Sequence, residues 1–461
     1  MLFMSNKGKN VAVVGAGLCG SLLALRLKQL GYKPVLFEKR PDMRSADISA
    51  GRSINLALSN RGLKALDLVG LSEKARTITL PMKGRLLHDR EGNLRMSPYS
   101  GRPNDYINSI SRGDLNSILY DAAEAEGIPI HFNMSCISSD PDSGELKFQD
   151  HSKNIQNFKA DAVFGADGAG SVIRQAAMKK SSLLRFNFSQ QYLTHGYKEL
   201  SIPASENHDF RIASDALHIW PRKTFMMIGL PNLDKTFTIT LFLPYTGEDG
   251  FDNIRTDADI TRYFQKWFPD AMPHMPKLLE EYRTNPTSSL GTIRCYPWKT
   301  GAKTLLIGDA AHAIVPFYGQ GMNCAFEDVV VLDKVMKNFE FGDWGNIFEA
   351  FQIIRKKDAD AIADLALDNF IEMRDKVDDP VFAEKRKLEM KLENKYQDYY
   401  SKYSLVTFKE DLPYSAALKL GRAQDELLLQ KIKEKGSADQ IDELKILQEL
   451  MDLRTKLEIS I

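Results

Sequence analysis

The stretch NVAVVGAGLCG, residues 10–20, joins a short apolar strand to a glycine-rich turn. A helical pattern, SLLALRLKQLGY (21–32), and a second apolar strand, KPVLFEK (33–39), follow it directly. Strand, turn, helix and strand in this order form a βαβ unit, because parallel strands need a crossover connection. The stretch therefore predicts a doubly wound α/β domain in this part of the chain.

The turn has the GxGxxG pattern of a dinucleotide-binding site. Gly15 permits the tight turn, Gly17 lets a pyrophosphate approach the main chain, and Gly20 lets helix and strand pack closely. Glu38 ends the second strand, where its carboxylate can accept hydrogen bonds from a ribose. A purely structural turn would use the same glycines, and FAD and NAD(P) both fit such a site. The rest of the sequence has to decide between these alternatives.

The composition is that of an ordinary globular protein, with 461 residues, 43% of them hydrophobic. The 61 basic and 61 acidic residues balance, so charge gives no argument for nucleic acid or an acidic membrane as partner. No signal peptide and no apolar run of the ~18 residues that a membrane span needs is found, and we predict a cytoplasmic protein. The cysteines form no CxxC pair, so we predict neither a metal site nor a disulfide framework; they are Cys19, Cys136, Cys295 and Cys324.

Two further glycine–acid corners each follow a predicted buried strand. The first is FGADGAG (164–170), with Asp167, and the second is LLIGDAAHAIVPFYGQGMN (305–323), with Asp309. The Asp309 carboxylate can lie near ribityl hydroxyls, and the loop beyond it can present main-chain N–H groups to a flavin ring. Single Asp-Gly or Gly-Asp pairs are mostly turns, but three corners in this order favour a flavin site. The loop glycines that would lie against the ring are Gly319 and Gly321.

The middle and the end of the chain have different patterns. Alternation in TFMMIGLP (224–231) and KTFTITLFLP (235–244) predicts neighbouring strands of an antiparallel sheet. Helical periodicity dominates from 323 to 375, and Pro380 marks an expected helix end. The last helix is predicted to start with a capping box at 437–440. Its apolar face either packs on its own domain or contacts a partner or membrane; this face is Ile441, Leu444, Leu447, Leu450 and Met451.

The three corners resemble those of the group A flavoprotein aromatic hydroxylases, whose fold is similar to that of p-hydroxybenzoate hydroxylase. The resemblance implies an α/β fold with a Rossmann-like FAD-binding domain, an interleaved antiparallel-sheet substrate domain and a C-terminal helical region. The predicted boundaries of the FAD-binding domain are 1–75, 105–180 and 290–375. Those of the sheet domain are 76–104 and 181–289, and the helical region is 376–461.

Longer segments resemble the kynurenine 3-monooxygenase family; they include GRSINLALSNRG (51–62), QQYLTHGYKEL (190–200), HIWPRKTFMMIGLPN (218–232), NFIEMRD (369–375) and YSLVTF (403–408). This resemblance implies hydroxylation of L-kynurenine ortho to its ring amine, with NADPH, O2 and a C4a-hydroperoxyflavin, and a role in tryptophan catabolism. A second GxGxxG is missing from the sequence, so NADPH is expected to dock transiently in a surface groove. The sequence does not fix the oligomeric state, and a homodimer is possible. The rivals are a hydroxylase of another aromatic acid, a flavin-dependent reductase and a flavin-binding scaffold.

The resemblance also implies a set of substrate-binding residues. In the family an arginine, two tyrosines and an asparagine hold the substrate carboxylate, and these fall on Arg85, Tyr99, Tyr403 and Asn369. Glu372, one helical turn after Asn369, is expected to meet the substrate ammonium. Without the resemblance, Arg85 would be interpreted as a surface ion-pair residue and the tyrosines as core aromatics.

The flavin contacts implied by the resemblance come from several segments. Phe317, Tyr318 and Gln320 are expected near the ring, and the eukaryotic members tend to have Phe-Phe where this chain has Phe317-Tyr318. His312 is interpreted as a residue packed beneath the flavin loop rather than as a base. An apolar wall is expected from Met226, Ile228 and the strand 237–242. The other cofactor contacts are Cys19, Arg40, Ala57, Arg112, Met322 and Asn323.

Overall fold

The computed structural model describes residues 9–45, 55–375 and 379–461. Its strands are β1 (Asn10–Val14), β2 (Lys33–Phe37), β3 (Asn55–Leu58), β4 (Thr79–Met82), β5 (Gly84–His88), β6 (Leu94–Pro98), β7 (Ile107–Ser111), β8 (Ile130–His131), β9 (Ser135–Asp140), β10 (Glu145–Gln149), β11 (Ile155–Lys159), β12 (Ala162–Gly165), β13 (Asn187–Ile202), β14 (Leu217–Arg222), β15 (Phe225–Pro231), β16 (Phe237–Pro244), β17 (Ser288–Tyr296) and β18 (Thr304–Leu306). Its helices are α1 (Leu18–Gln29), α2 (Asn60–Asp67), α3 (Ser72–Arg76), α4 (Arg112–Ala125), α5 (Val172–Lys179), α6 (Ser181–Leu184), α7 (Asp257–Trp267), α8 (Leu278–Thr284), α9 (Asp309–His312), α10 (Gly321–Met336), α11 (Trp344–Asp375), α12 (Pro380–Lys395), α13 (Lys402–Thr407), α14 (Tyr414–Lys435) and α15 (Glu443–Lys456).

A five-stranded parallel sheet, in the order β18-β12-β1-β2-β8, forms the centre of the nucleotide-binding part. Its central strand is apolar on both faces, since Val11 to Val14 are all buried between helices. In a parallel sheet the carboxyl ends of the strands meet at one edge. This edge therefore brings together the three glycine–acid corners, which follow β1, β12 and β18, and confirms the prediction of a doubly wound fold.

A seven-stranded sheet lies beside it, in the order β17-β13-β16-β15-β14-β5-β6. Its neighbouring strands are antiparallel except β14 and β5, which run parallel. The predicted hairpin of β15 and β16 is confirmed, with Met227 opposite Leu241. One face of the sheet packs on α7 and α8 through a second apolar core that includes Trp220, Phe264 and Phe268. The other face is therefore free to line a cavity.

The helices after β18 cover the cavity side of this sheet. The helix α11 packs on α10 and α14, and α14 in turn contacts α12, α13 and α15. Pro380 begins the helix α12 as its first residue, a position that suits proline because no intrahelical N–H is needed there. Among the described residues, no helix combines the length and the apolar character that crossing a membrane requires.

The prediction for the start of the last helix is wrong. Residues Ala438–Gln440 form only a 3-10 turn, and Ser437 makes no capping hydrogen bond there. The helix α15 starts after Asp442, whose carboxylate accepts the N–H groups of Leu444 and Lys445. Leu444 is 70% exposed, whereas Ile446 and Leu450 are buried against α12 and α14. This helix packs on its own chain, as one of the two interpretations expected.

The seven-stranded sheet takes its strands from 84–98 and 187–296. Two smaller antiparallel sheets complete the fold, in the orders β11-β10-β9 and β3-β7-β4. The strand β4 thus pairs with β7 on the nucleotide side rather than with the large sheet. The domain boundaries given above stay predictions.

Candidate active site

One continuous cavity of about 960 Å³ runs from the Gly15 turn to the inner face of the seven-stranded sheet. Its first end lies at the carboxyl edge of the parallel sheet and is lined by all three glycine–acid corners. Its second end is lined by Arg85 and Tyr403 and by apolar side chains of β14, β15 and β16. The volume is at the upper end of the range of ligand sites, and its position at a sheet edge is where α/β proteins bind nucleotides.

The turn after β1 requires glycine at two positions, Gly15 and Gly20. Gly15 has φ +100°, and a Cβ added to it would lie 2.4 Å from the carbonyl oxygen of Ala166. A Cβ on Gly20 would lie 2.0 Å from the carbonyl oxygen of Gly15, so α1 packs directly on the turn. Gly17, by contrast, has no atom within 4 Å of an added Cβ. The open space at Gly17, at the N-terminus of α1, is where a pyrophosphate can approach the main chain.

Two carboxylates border this end of the cavity. Glu38 accepts the N–H of Ala16 at 3.0 Å and the Nε of Arg40 at 2.8 Å, which fixes it after β2. Asp167 uses Oδ2 to accept the N–H groups of Val172 and Ile173 at the start of α5. Its Oδ1 is buried and has no partner in the part of the chain that is described. Burial raises the pKa of Asp167 above its ordinary value, and an unpaired buried oxygen is a free acceptor for a ligand.

The corner after β18 brings a third carboxylate and a helix N-terminus to the cavity. Asp309 is open to the cavity but enclosed by protein, and this burial raises the pKa of its carboxyl, while Arg112 opposes the shift. Gly319 has φ +67°, a left-handed conformation that reverses the chain before α10. The first N–H groups of α10, at Gly321 and Met322, have no intrahelical partner and lie at the cavity. They can stabilise negative charge on a ring placed there.

At the other end, Arg85 lies beside a pair of tyrosine rings. Its guanidinium carbon is 4.3 Å from the centre of the Tyr403 ring and 5.2 Å from that of Tyr99. The two rings are nearly parallel, with centres 5.7 Å apart. Within the described residues, Arg85 has no carboxylate partner, and the buried hydroxyl of Tyr99 has no hydrogen-bond partner. The Arg85 guanidinium lines the cavity and can bind a ligand carboxylate. Tyr99 is fully buried and does not itself line the cavity, so contact of its hydroxyl with a ligand stays a prediction.

Between these two ends, the cavity has a mostly apolar wall. It is formed by Leu217, Met226, Ile228, Leu230, Phe242, Leu290, Phe317 and Met373. The strand β16 contributes only alternate residues, so Thr238 and Thr240 also line the cavity, whereas Phe237 lies in the core on the opposite face. The expectation that the whole strand 237–242 forms an apolar wall is therefore wrong: Phe242 is its only apolar side chain that lines the cavity.

Comparisons with known proteins agree with this geometry. Residues 9–343 match the family described as FAD binding domain. The kynurenine 3-monooxygenase of Christiangramia forsetii is 42% identical over 452 residues, which cover 98% of this chain and 100% of that protein. The chain belongs to this family. The kynurenine 3-monooxygenases of Myxococcus xanthus (44% identity, 94% of this chain and 92% of that protein) and Dictyostelium discoideum (43% identity, 92% and 93%) are also similar.

Solved structures of other proteins share the fold of this kynurenine 3-monooxygenase family member. A tetrameric form of 2-methyl-3-hydroxypyridine-5-carboxylic acid oxygenase superposes with TM-score 0.65 at 21% identity, over 83% of this chain and 97% of that chain. The structure of P. aeruginosa PqsL in complex with 2-aminobenzoylacetate gives TM-score 0.63 at 16% identity, over 80% and 97%. These likenesses confirm the predicted p-hydroxybenzoate hydroxylase-like fold.

FAD is the cofactor of the family, and the first end of the cavity fits it. The open space at Gly17 fits the pyrophosphate, the Glu38 carboxylate the adenosine ribose, and the Asp309 carboxylate the ribityl chain. The unpaired Oδ1 of Asp167 is a further acceptor. Other residues predicted as flavin contacts that line the cavity are Cys19, Arg40, Ala57, Arg112, Phe317, Tyr318, Gly319, Gly321 and Met322.

Some of the residues predicted from the family are turned away from the cavity. Asn323 is fully buried: its Nδ2 donates to the carbonyls of Ala57 and Gly319, and its Oδ1 accepts the Ser59 N–H. It joins β3 to the Gly319 turn. Gln320 is also buried, and its side-chain oxygen accepts the Tyr414 hydroxyl at 2.9 Å. Direct flavin contacts of these two side chains stay predictions; their hydrogen bonds show that they hold the loop.

The predicted substrate residues on α11 have partners within the protein. Asn369 is buried, and its Nδ2 donates to the carbonyl of Phe317 at 2.6 Å. Glu372 does not line the cavity; its carboxylate is paired with Lys402 at 2.5 Å. The assignment of Glu372 to the substrate ammonium stays a prediction, and this ion pair gives the carboxylate a different partner.

Tyr318 carries a hydroxyl group that the Phe-Phe pair expected for the eukaryotic members lacks. Its ring is nearly parallel to that of Tyr403, with centres 5.5 Å apart. The hydroxyl donates to the carbonyl of Lys402 at 3.4 Å, so it is directed at α13. The hydroxyl of Tyr318 therefore connects the flavin loop to the C-terminal helices.

His312 lies beneath the flavin loop, which confirms the packing interpretation. It is buried, and its Nε2 is 2.7 Å from Oδ2 of Asp328, which also accepts the Gly308 N–H. Burial alone lowers the pKa of His312, but the Asp328 carboxylate outweighs it, and the pKa lies well above its ordinary value. His312, Cys324 and Asp328 are near enough to share a metal, yet Arg355 already donates to Asp328 at 2.8 Å and contacts the Cys324 sulfur.

Sequence reasoning missed several cavity residues. Leu217, Leu230 and Met373 line the substrate end, and Tyr197 lies on β13 beside Phe242. The period of two in β15 and β16 was a usable signal, because it separates the faces of each strand. The choice of which face meets the cavity depends on the packing of α7 and α8, which the local sequence does not contain.

Proposed function

We propose that this protein hydroxylates L-kynurenine at the ring carbon ortho to its amine, consuming NADPH and O2. One oxygen atom of O2 enters the ring, the other leaves as water, and NADPH is oxidised to NADP⁺. The observation that carries the proposal is the Arg85 guanidinium, which has no ion-pair partner among the described residues and lies beside the rings of Tyr99 and Tyr403, at the end of the cavity opposite the nucleotide site. Membership of the kynurenine 3-monooxygenase family supports the choice of substrate.

The substrate carboxylate binds at Arg85. A planar guanidinium can make two parallel hydrogen bonds with a carboxylate, and the neighbouring hydroxyl of Tyr99 can donate a third. Tyr403, whose ring is stacked near that of Tyr99, lines the cavity and supports the guanidinium through its ring face. Asn369 holds Phe317 by its carbonyl, so it shapes the same end of the site. This arrangement anchors the amino-acid end of the substrate.

With its carboxylate at Arg85, the aromatic ring of the substrate extends along the apolar wall toward the nucleotide end. Met226, Ile228 and Phe242 exclude water from this part of the cavity and orient the ring. The chemistry that FAD supplies when bound is acceptance of a hydride from NADPH and activation of O2. The ring amine already enriches the ortho carbon, so the chain itself has to supply positioning and a dry site rather than an acid–base pair.

The deciding experiment is a turnover in air with purified FAD-loaded protein, NADPH and L-kynurenine. With ¹⁸O2 in place of normal dioxygen, mass spectrometry should find one labelled oxygen in the product, and the product should coelute with 3-hydroxykynurenine. Substrate should stimulate NADPH oxidation. A labelled product from a different aromatic acid, with none from L-kynurenine, would support the rival hydroxylase.

Anaerobic turnover tests the remaining rivals. A reductase would convert its substrate without O2, and a flavin-binding scaffold would show no substrate-stimulated NADPH oxidation. NADPH docking in a surface groove, a homodimer and a cytoplasmic location are further parts of the proposal. Size-exclusion chromatography with light scattering measures the oligomeric state directly.

A further inference from the structure

A cluster of buried charges lies behind the substrate end of the cavity. The Lys402 ammonium is 2.5 Å from Glu372 on α11 and 2.5 Å from Asp425 on α14. Asp425 also pairs with Lys385 on α12, which lies 3.1 Å from Glu389 on the same helix. The side chains are largely shielded from water; that of Lys402 is 8% exposed. These five residues, Glu372, Lys385, Glu389, Lys402 and Asp425, are called the C-terminal ion cluster below.

The cluster is connected to the cavity through Lys402. This residue is the first of α13 and directly precedes Tyr403, whose ring lines the cavity. The carbonyl of Lys402 accepts the Tyr318 hydroxyl from the flavin loop. The aliphatic stem of Lys402 packs on Gly421 of α14, where an added Cβ would lie 2.6 Å from its Cγ. The position of α13 is therefore set by one ammonium group and one closely packed glycine.

The same cluster reaches Tyr99 from the other side. Arg386 of α12 lies 3.5 Å from the Glu389 carboxylate and donates to the carbonyl of Tyr99 at 2.7 Å. Glu393, one helical turn further, accepts the N–H groups of Gly101 and Ser401. Both tyrosines around Arg85 thus depend on main-chain contacts with α12 and α13, two helices that the cluster joins.

The charges of the cluster balance only as a set. With Arg386, three cations face the three carboxylates of Glu372, Glu389 and Asp425. Burial lowers the pKa of Lys402, but Asp425 and Glu372 outweigh it and raise the pKa, so the ammonium stays charged. Buried ion pairs add little stability compared with apolar packing, whereas they do specify one arrangement of the groups around them.

The substrate clamp is the name used here for Arg85, Tyr99 and Tyr403. We propose that Lys402 is a positioning residue for this clamp: by joining α11 to α14 it places Tyr403, and with it Arg85, for the substrate carboxylate. The proposal rests on the clamp described under the proposed function. It gives the C-terminal helices a role in substrate affinity, through a residue that does not itself line the cavity.

The first test is the charge-balanced variant Lys402→Met/Asp425→Asn in the full-length FAD-loaded protein. It removes one cation and one anion, so that, with Arg386 included, two cations and two carboxylates remain. KM for L-kynurenine should rise about tenfold, with kcat within about twofold, and FAD content and thermal midpoint should stay near those of the wild type. Lys391→Met is the matched control, because Lys391 pairs with Glu443 outside the cluster, and it should change none of these.

A second variant displaces Lys402 without changing any charge. Gly421→Ala puts a methyl group against the Lys402 stem and should raise KM about fivefold. The matched control is Gly345→Ala in α11, where an added Cβ has no atom within 4 Å, and KM should stay unchanged. This pair keeps the proposal testable when the charge variant does not fold.

Arg85→Ala, measured beside these variants, distinguishes the positioning role of Lys402 from the substrate-binding role of Arg85. A raised KM in Arg85→Ala, with wild-type KM in both Lys402→Met/Asp425→Asn and Gly421→Ala, would overturn the positioning role alone. A lower thermal midpoint with unchanged KM would show the cluster to be merely structural. Unchanged KM in Arg85→Ala would overturn the clamp, and the positioning role with it.

Discussion

The two ends of the cavity are constructed in different ways. The nucleotide end is made of main chain and short acids at the carboxyl edge of one parallel sheet, where β1, β2, β12 and β18 meet. The substrate end is made of side chains from β5, the loop after β6, α11 and α13, which lie far apart in sequence. The first end is thus fixed by local backbone geometry, whereas the second depends on how separate elements pack.

The difference also appears in the way each end is supported. A glycine such as Gly15 is irreplaceable because of its own φ and its contact with Ala166. Arg85 is instead held by two aromatic rings, which are held in turn by helices that a cluster of buried charges joins. Substitutions at the first end should therefore act on the cofactor and on folding, and those at the second on substrate alone.

The largest expected effect is that of Gly15→Ala. Alanine at φ +100° is strained, and its Cβ would lie 2.4 Å from a backbone oxygen that cannot move freely. Together these cost about 3 kcal/mol or more, enough to abolish flavin retention. The measurement is the 450 nm absorbance of the purified variant, with its thermal midpoint. A yellow, stable Gly15→Ala protein would contradict the backbone account of this end.

Gly17→Ala tests cofactor binding without a change in folding, because its added Cβ has no protein atom within 4 Å. The apoprotein should keep the thermal midpoint of the wild type, whereas FAD affinity should fall at least tenfold as the methyl group occupies the pyrophosphate space. Loss of apoprotein stability in this variant would show that Gly17 has a structural role.

The second largest effect is expected for Arg85→Ala. Loss of a charge-assisted pair costs about 1.5–3 kcal/mol, so KM for L-kynurenine should rise about a hundredfold while FAD stays bound. The matched control is Arg95→Ala on the neighbouring strand β6, where the side chain is exposed. Steady-state kinetics and flavin content measure both quantities. A wild-type KM in Arg85→Ala would contradict the assignment of substrate binding to this end of the cavity.

The determinants of the nucleotide end are local in the sequence, so the sequence alone is enough to predict where it lies. The roles of Gly15, Glu38 and Asp309 follow from strand, turn and helix patterns within about 20 residues. At the substrate end, Arg85, Tyr99 and Tyr403 were brought together only by family resemblance. Nothing in their local patterns separates them from a surface arginine and two core tyrosines.

Two further features of the structure, the ion pair of Glu372 and the start of the last helix, depend on tertiary contacts. Glu372 was expected to face substrate, but its partner Lys402 is 30 residues away and comes near only when α13 packs on α11. The cap at Ser437 failed because Asp442 offers a competing carboxylate five residues later. Neither outcome can be read from periodicity, since both depend on which of several similar local contacts the packed helices permit.

A smaller effect is expected for Asp309→Asn, which should change the thermal stability of the apoprotein and its affinity for FAD in opposite directions. Because burial raises the pKa of Asp309 above its ordinary 3.8, the fold favours the neutral carboxyl. The contribution of Asp309 to the free energy of unfolding is fully present below the ordinary pKa and is lost as pH rises through the pKa of the folded protein. Asparagine avoids the loss, so the apoprotein variant should melt a few degrees higher at pH 7, with the difference narrowing toward pH 4.

FAD affinity of Asp309→Asn should fall about tenfold, since one charged acceptor for the ribityl hydroxyls is lost. Differential scanning fluorimetry of the apoprotein across this pH range and fluorescence titration with FAD measure the two effects. A variant that melts lower at pH 7 than the wild type would contradict the sign derived from the raised pKa.

The smallest effect, at the substrate end, is that of Tyr99→Phe. The hydroxyl of Tyr99 is buried without a partner in the described residues, so its removal should leave the substrate-free protein as stable or slightly more stable. KM for L-kynurenine should rise about fivefold, because one donor to the carboxylate is gone. Tyr399→Phe is the matched control: Tyr399 also has a buried hydroxyl without a partner among the described residues, but only the rings of Tyr99 and Tyr403 are recorded against the Arg85 guanidinium. Its stability should change in the same direction with KM unchanged, and equal KM shifts in both variants would show that the hydroxyl of Tyr99 does not bind substrate.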